Sequence, residues 1–207
     1  MKNWIVQPPA FVRWLFPGSL WRLEKRRRCV ALTFDDGPVP EQTPWVISTL
    51  EKYHIKATFF CVGDNIRKYP DLFAQLKSSG HTVGNHTFNH IQLFHNSWKS
   101  YMANIDASRR IDGGATLFRP PHGQMMPWRI TPLRKIFDKV VFWDVMPRDY
   151  DQRLTPAQVL DNVKRHVRNG SIINFHDSVK AGERMRFALI GTIEYLLAEG
   201  YEFVELK

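Results

Sequence analysis

Acids, imidazoles and one arginine fall in five short clusters along this chain: Asp35-Asp36, His86-Thr87-Phe88-Asn89-His90, Arg119-Pro120-Pro121-His122-Gly123, Asp149 and His176-Asp177. The first ends an apolar run, Val30-Ala31-Leu32-Thr33-Phe34, and is followed by the turn signal Gly37-Pro38. A buried strand delivering two carboxylates to a rim has this pattern. Side chains one residue apart point in different directions, so such a pair can divide its work, one acid holding a cation and the other handling protons. Taken alone, the hexapeptide reads equally well as a capped Asp-Gly turn. His86 and His90 are four apart, which in a helical turn predicts both imidazoles on one side at metal-ligand spacing; a surface or helix-capping pair is the rival. With Asp36 added, two nitrogens and one oxygen suit Zn²⁺ and leave positions open for water and substrate, as hydrolysis requires.

The elements around these clusters must bring them together. From Cys29 onward short apolar runs alternate with amphipathic stretches, the pattern of a mostly parallel sheet wrapped by helices. Strands are predicted at 29–34, 57–61, 81–85, 115–118, 139–145, 171–175 and 201–205. Helices are predicted at 43–53, 70–79, 98–111, 127–137 around an awkward Pro132, 156–169 with Thr155 as N-cap, and 183–199. The fold class is α/β, a distorted (β/α) barrel of about seven parallel strands. Each polar cluster follows a predicted strand, and in such a barrel those ends converge on one face, where active sites are found.

The ordered set Thr33-Phe34-Asp35-Asp36-Gly37-Pro38, His86-Thr87-x-x-His90, Arg119-Pro120-Pro121-x-Gly123 and His176-Asp177 resembles the polysaccharide deacetylase family, also known as carbohydrate esterase family 4 or the NodB homology domain. The resemblance covers residues 29–207. It implies a hydrolase acting on carbon–nitrogen bonds, with Asp36, His86 and His90 binding a divalent metal, for which Zn²⁺ is expected. Asp35 would be the base and Arg119 would hold it ionised and oriented. His176 would give a proton to the departing amine, and Asp149 would keep it protonated. The backbone N–H of His122 would face the oxyanion, since Pro120 and Pro121 have none to donate. The implied substrate is an N-acylated amino sugar of a glycan or a lipid-linked saccharide, with acetyl as the acyl group.

Departures from the family pattern fall at the substrate pocket, to which Pro121, Tyr150 and Asn174 are assigned. Tyr150 stands where the family has Trp, and the family's first acid of that motif is missing at Met146. Asn174 replaces a usual Leu, which predicts an amide where a greasy wall would receive the acetyl methyl and makes a formyl or other polar group conceivable. His122 stands in place of Tyr or Phe, and Ile91 in place of a common Pro. Trp128 and Trp143 lie near motif loops and could flank a sugar ring, though packing is the favoured reading. His54, His81, His95 and His166 read as surface or satisfied partly buried groups.

A chain of 207 residues that is 43% hydrophobic and 13% aromatic is globular, and its net charge of +9 attracts something anionic. No nucleic-acid reader motif is present. Residues 1–28, with Trp4, Phe11, Trp14 and Trp21 among arginines, are read as a cover over the barrel, with peripheral membrane contact as the rival; residues 29–207 are the catalytic domain. Cys29 and Cys61 would lie about 16 Å apart, too far for a disulfide. A convincing signal peptide and a membrane span are both missing, so the expected location is cytoplasmic or peripheral at the cytoplasmic membrane, and the expected state is a monomer. Two rival functions remain: hydrolysis of a non-sugar amide or cyclic imide on the same scaffold, and metal-dependent glycan binding without turnover.

Overall fold

The computed structural model describes residues 6–23 and 28–207. Of the segment 1–28 read as a cover, residues 1–5, with Trp4, and 24–27 lie outside the described residues. The central strand, β2 (Cys29–Asp35), is buried at every position, as a parallel strand covered on both faces must be. On one side follow β3 (Thr58–Cys61), β4 (Thr82–Asn85), β5 (Leu117–Phe118) and β6 (Lys139–Val141), and on the other lies β7 (Ile172–His176). These neighbours all pair parallel. β8 (Glu202–Phe203) pairs with the start of β2 at Cys29 and Val30. Beyond β6 the chain forms a parallel bridge from Val145 to Ile173, so the sheet curls back on itself into a distorted barrel.

Helices α2 (Thr43–Lys52), α4 (Pro70–Ser78), α5 (Trp98–Arg109), α7 (Pro156–His166) and α8 (Gly182–Ala198) connect the strands, as the periodicity predicts. α7 starts with a reciprocal cap: Gln158 N–H donates to Thr155 Oγ1 at 3.3 Å, and Thr155 N–H donates to Gln158 Oε1 at 2.9 Å. Three elements depart from expectation. α3 (Gly63–Lys68) is a single polar turn and a half with no legible stripe. The predicted helix at 127–137 breaks into a 3₁₀ turn and α6 (Ile130–Leu133), because Pro132 lacks the N–H a continuous helix needs.

The third departure is at the N-terminus. β1 (Ser19–Leu20) joins the sheet edge beside Val140 and Val141 of β6, so part of this segment belongs to the sheet itself. Trp21 stacks on Phe142 with centroids 4.2 Å apart and planes at 7°. Asp144, fully buried, receives Arg13 Nη2 at 3.0 Å, Arg168 Nη2 at 2.7 Å and the Ser171 hydroxyl at 2.7 Å, which ties the segment to the barrel. Trp14, on the short helix α1 (Ala10–Trp14), is 80% exposed. Cys29 and Cys61 are both buried, and no disulfide joins them. Among the described residues no helix is long and apolar enough to cross a membrane.

Candidate active site

Strand register sets the site. Asp35 pairs with His176 on one side and Phe60 on the other, Cys61 is level with Asn85, and Asn85 with Phe118. Asp36, His86 and Arg119 each come one residue later, so they leave the sheet together at its C-terminal end.

Asp36 Oδ1 lies 3.2 Å from His90 Nε2 and 3.9 Å from His86 Nε2. One ligand atom from each of the three can be chosen with all within 4.8 Å of one another. The helical turn expected between the histidines is absent. The chain reverses instead through left-handed backbone at Thr87 (φ 64°) and His90 (φ 56°), and Asn85 and Asn104 hold the loop by accepting the Thr87 and Phe88 N–H groups at 2.9 and 2.7 Å. Asp36 (φ 82°) and His122 (φ 57°) share that unfavourable conformation, so backbone strain gathers around the cluster.

These residues fit a Zn²⁺-type cation. His86 Nδ1 lies 2.7 Å from the Arg119 carbonyl, which can only accept, so Nδ1 carries the hydrogen and the Nε2 lone pair faces Asp36. Burial, only partly offset by Asp35, pushes the His86 pKa down to about 4, which keeps the imidazole neutral as a ligand must be.

Asp35, 4% exposed, accepts Arg119 Nη1 on Oδ1 at 2.7 Å and Asn174 Nδ2 on Oδ2 at 2.8 Å. Burial opposes its ionisation, but the Arg119 guanidinium, joined by the charges of His86 and His176, outweighs that and holds the carboxyl below its ordinary pKa. Arg119, fully buried, also donates to the Phe142 carbonyl at 3.0 Å and lies over the Phe60 ring, 4.1 Å from its centroid. His176 sits on the neighbouring strand with Nδ1 2.8 Å from Asp149 Oδ1, and its peptide N–H donates to Asp149 Oδ2 at 2.7 Å. Burial pulls its pKa down, yet the Asp149 carboxylate, joined by those of Asp36 and Asp35, overrides this and pushes it up to about 9.

Asp35, Asp36, His86, His90, His122 and His176 all line one cavity of about 740 Å³. Tyr150 lines it too, edge-on to the His176 ring at 5.0 Å. Asn174 and Pro121 do not. Asn174 is fully buried beside its strand partner Thr33, with its oxygen accepting from Arg119 at 2.6 Å, so the amide supports Asp35 from behind instead of walling the pocket. Pro121 is buried in the turn before Gly123. Trp143 lines the cavity, whereas Trp128 is 66% exposed and does not.

Sequence reasoning passed over Asp177 as more than a motif neighbour. Its buried carboxylate accepts the Gly37 N–H at 3.0 Å and the Thr43 hydroxyl at 2.6 Å, which fixes the turn carrying Asp36. A Cβ on Gly37 would stand 2.0 Å from Asp177 Oδ2, so only glycine fits. The signal was the Gly-Pro after the paired acids. Lys180 and Ser178 also line the cavity, and nothing in their spacing points there.

Residues 22–131 match the family described as polysaccharide deacetylase. A peptidoglycan-N-acetylglucosamine deacetylase of Bacillus cereus is 29% identical over 208 residues, spanning 98% of this chain and 94% of its own length. A chitooligosaccharide deacetylase of Azorhizobium caulinodans is 30% identical over 172 residues, spanning 80% of this chain and 81% of its own. The crystal structure of the Bc1960 peptidoglycan N-acetylglucosamine deacetylase superposes with a TM-score of 0.87 at 28% identity, over 96% of this chain and 94% of that one. Sequence and fold thus agree with the motifs that close around the cavity, and this chain belongs to the polysaccharide deacetylase family of hydrolases.

Proposed function

We propose that this enzyme removes an N-linked acyl group from an amino sugar of a glycan, with a divalent cation, Zn²⁺ by its donor set, held by Asp36, His86 and His90. The observation that carries the reading is the placement of Asp35 beside His176 on adjacent strands, with the acid pushed down and the imidazole pushed up to about 9. Two neighbouring groups whose titrations are driven apart are a base and an acid ready at the same pH.

When bound, the cation supplies positive charge that acidifies water and polarises a carbonyl. Asp35 takes a proton from the attacking water at Oδ2, the oxygen 4.0 Å from His86 Nε2. Arg119 and Asn174 keep that carboxylate from rotating. His176, its Nδ1 held by Asp149, has Nε2–H free to protonate the departing amine. His122 lines the cavity, and its peptide N–H, the first after two prolines, is assigned to the oxyanion. The names of the relatives favour N-acetylglucosamine glycans, and a net charge of +9 suits an acidic polymer.

The test is incubation of the zinc-loaded protein with chitooligosaccharides and peptidoglycan strands, measuring acetate and free amine released in equal amounts. Asp35→Asn turning over near the wild-type rate would remove the assigned base and the reading with it.

A further inference from the structure

We propose that residues 8–21 complete an apolar pouch beside the reacting groups, through which the enzyme accepts N-acyl groups longer than acetyl; this rests on the deacylation reading above. The cavity that holds Asp35 and His176 is also lined by Pro8, Pro9, Val12, Phe16, Trp21 and Phe142. All but Phe142 precede the family match, which begins at residue 22.

This wall is continuous and fixed. Phe16 leans on Phe142 and Trp21 with centroids 5.4 and 6.0 Å away, and Trp21 is stacked on Phe142. Arg13 donates to the Pro8 carbonyl and pairs with Asp144, each at 3.0 Å, and Met146 N–H donates to the Val6 carbonyl at 2.8 Å. The wall also adjoins the chemistry, because the Phe142 carbonyl accepts from the arginine that holds Asp35.

The occupant follows from what such a wall can bind. A sugar ring needs an open aromatic face and partners for its hydroxyls. Here Phe16, Trp21 and Phe142 pack against one another, and proline and valine complete the surface. The amine side of the scissile bond is the hydroxylated ring, so the apolar wall falls to the acyl side. A cavity of about 740 Å³ is far larger than a two-carbon group requires. Asn174, which would have argued for a polar acyl group, stands outside it.

The test uses glucosamine oligomers carrying N-acetyl, N-butyryl and N-hexanoyl groups on the zinc-loaded full chain. The expected result is a kcat/KM that rises with chain length, on the order of fourfold for each methylene fully buried. Val12→Asp should abolish that rise, and Trp14→Ser, on an exposed side chain of the same helix, should retain it. A flat or falling series in the wild type overturns the pouch, as does a rise that survives Val12→Asp in protein of native circular dichroism. A dependence on oligomer length alone makes the wall a sugar platform and overturns it equally. If no substrate is turned over, the deacylation reading fails by itself, and the fluorescence of Trp21 and Trp143 then reads binding of the same compounds. Tighter binding of N-hexanoyl than N-acetyl supports the pouch, and equal binding overturns it.

Discussion

Asn174 holds both partners of the buried ion pair at once: its Nδ2 donates to Asp35 Oδ2 at 2.8 Å while its Oδ1 accepts from Arg119 at 2.6 Å. The amide therefore orients the base and stabilises its charged form. Asn174→Leu, of similar size, removes both bonds and leaves buried polar atoms short of partners. It should cost about 1–3 kcal/mol in a urea titration and lower kcat/KM by roughly 10-fold or more. Losing a donor to the carboxylate raises its pKa, so the acid limb of the pH–rate profile should move to higher pH. An unmoved limb would show that Asn174 only fills space.

The Asp149–His176 pair sets the other limb. His176 works as an acid only while protonated, so activity should fall as pH rises through its pKa of about 9. In Asp149→Asn, burial acts without the carboxylate that opposed it, and the alkaline limb should move down. With the wrong ring orientation added, kcat should drop by roughly 10²–10⁴. A pH–rate profile of the variant at saturating substrate checks both effects.

Removal of the metal is expected to abolish turnover, and Zn²⁺ to restore it. Titration calorimetry on chelator-treated protein should show one strong site per chain. Asp36→Ala and His90→Ala should each weaken it by more than the roughly 10–100-fold that follows loss of an outer hydrogen-bonding partner. Circular dichroism should remain native in both variants, because His90 and Asp36 lie in the rim loops and not among the strands.

His81 makes a stability prediction away from the chemistry. Buried and neutral, it accepts the Ala57 N–H on Nδ1 at 3.3 Å, and burial lowers its pKa from 6.5 to about 4. Between those values the unfolded chain binds the proton more readily than the folded one, so stability falls as pH drops from about 6.5 towards 4. Urea midpoints of wild type and His81→Gln measured across that window should differ in slope, with the variant flatter.

The barrel was readable because buried parallel strands write themselves as short apolar runs, and Val30 to Phe34 is such a run. The reacting residues were readable because each follows a strand end. The loop between His86 and His90 was misread, since a spacing of four fits both a helical turn and a left-handed reversal that depends on the amides of Asn85 and Asn104. Asn174 was misassigned for a related reason. Alternation along a strand tells which residues share a face, but only the pairing of β7 with β2 reveals that Thr33 and Arg119 meet it there. Ser19 and Leu20 carry no periodicity, so the edge strand they form was invisible.

Asp144 sits where Arg13, from ahead of the family match, meets Arg168 from far downstream. An expression clone cut to begin at residue 22 would strip away a sheet edge, bare Phe142 and leave that carboxylate without one of its cations. Domain-trimmed protein is thus a poor proxy in any substrate screen, and the opening residues belong in every preparation used to ask what this hydrolase cleaves.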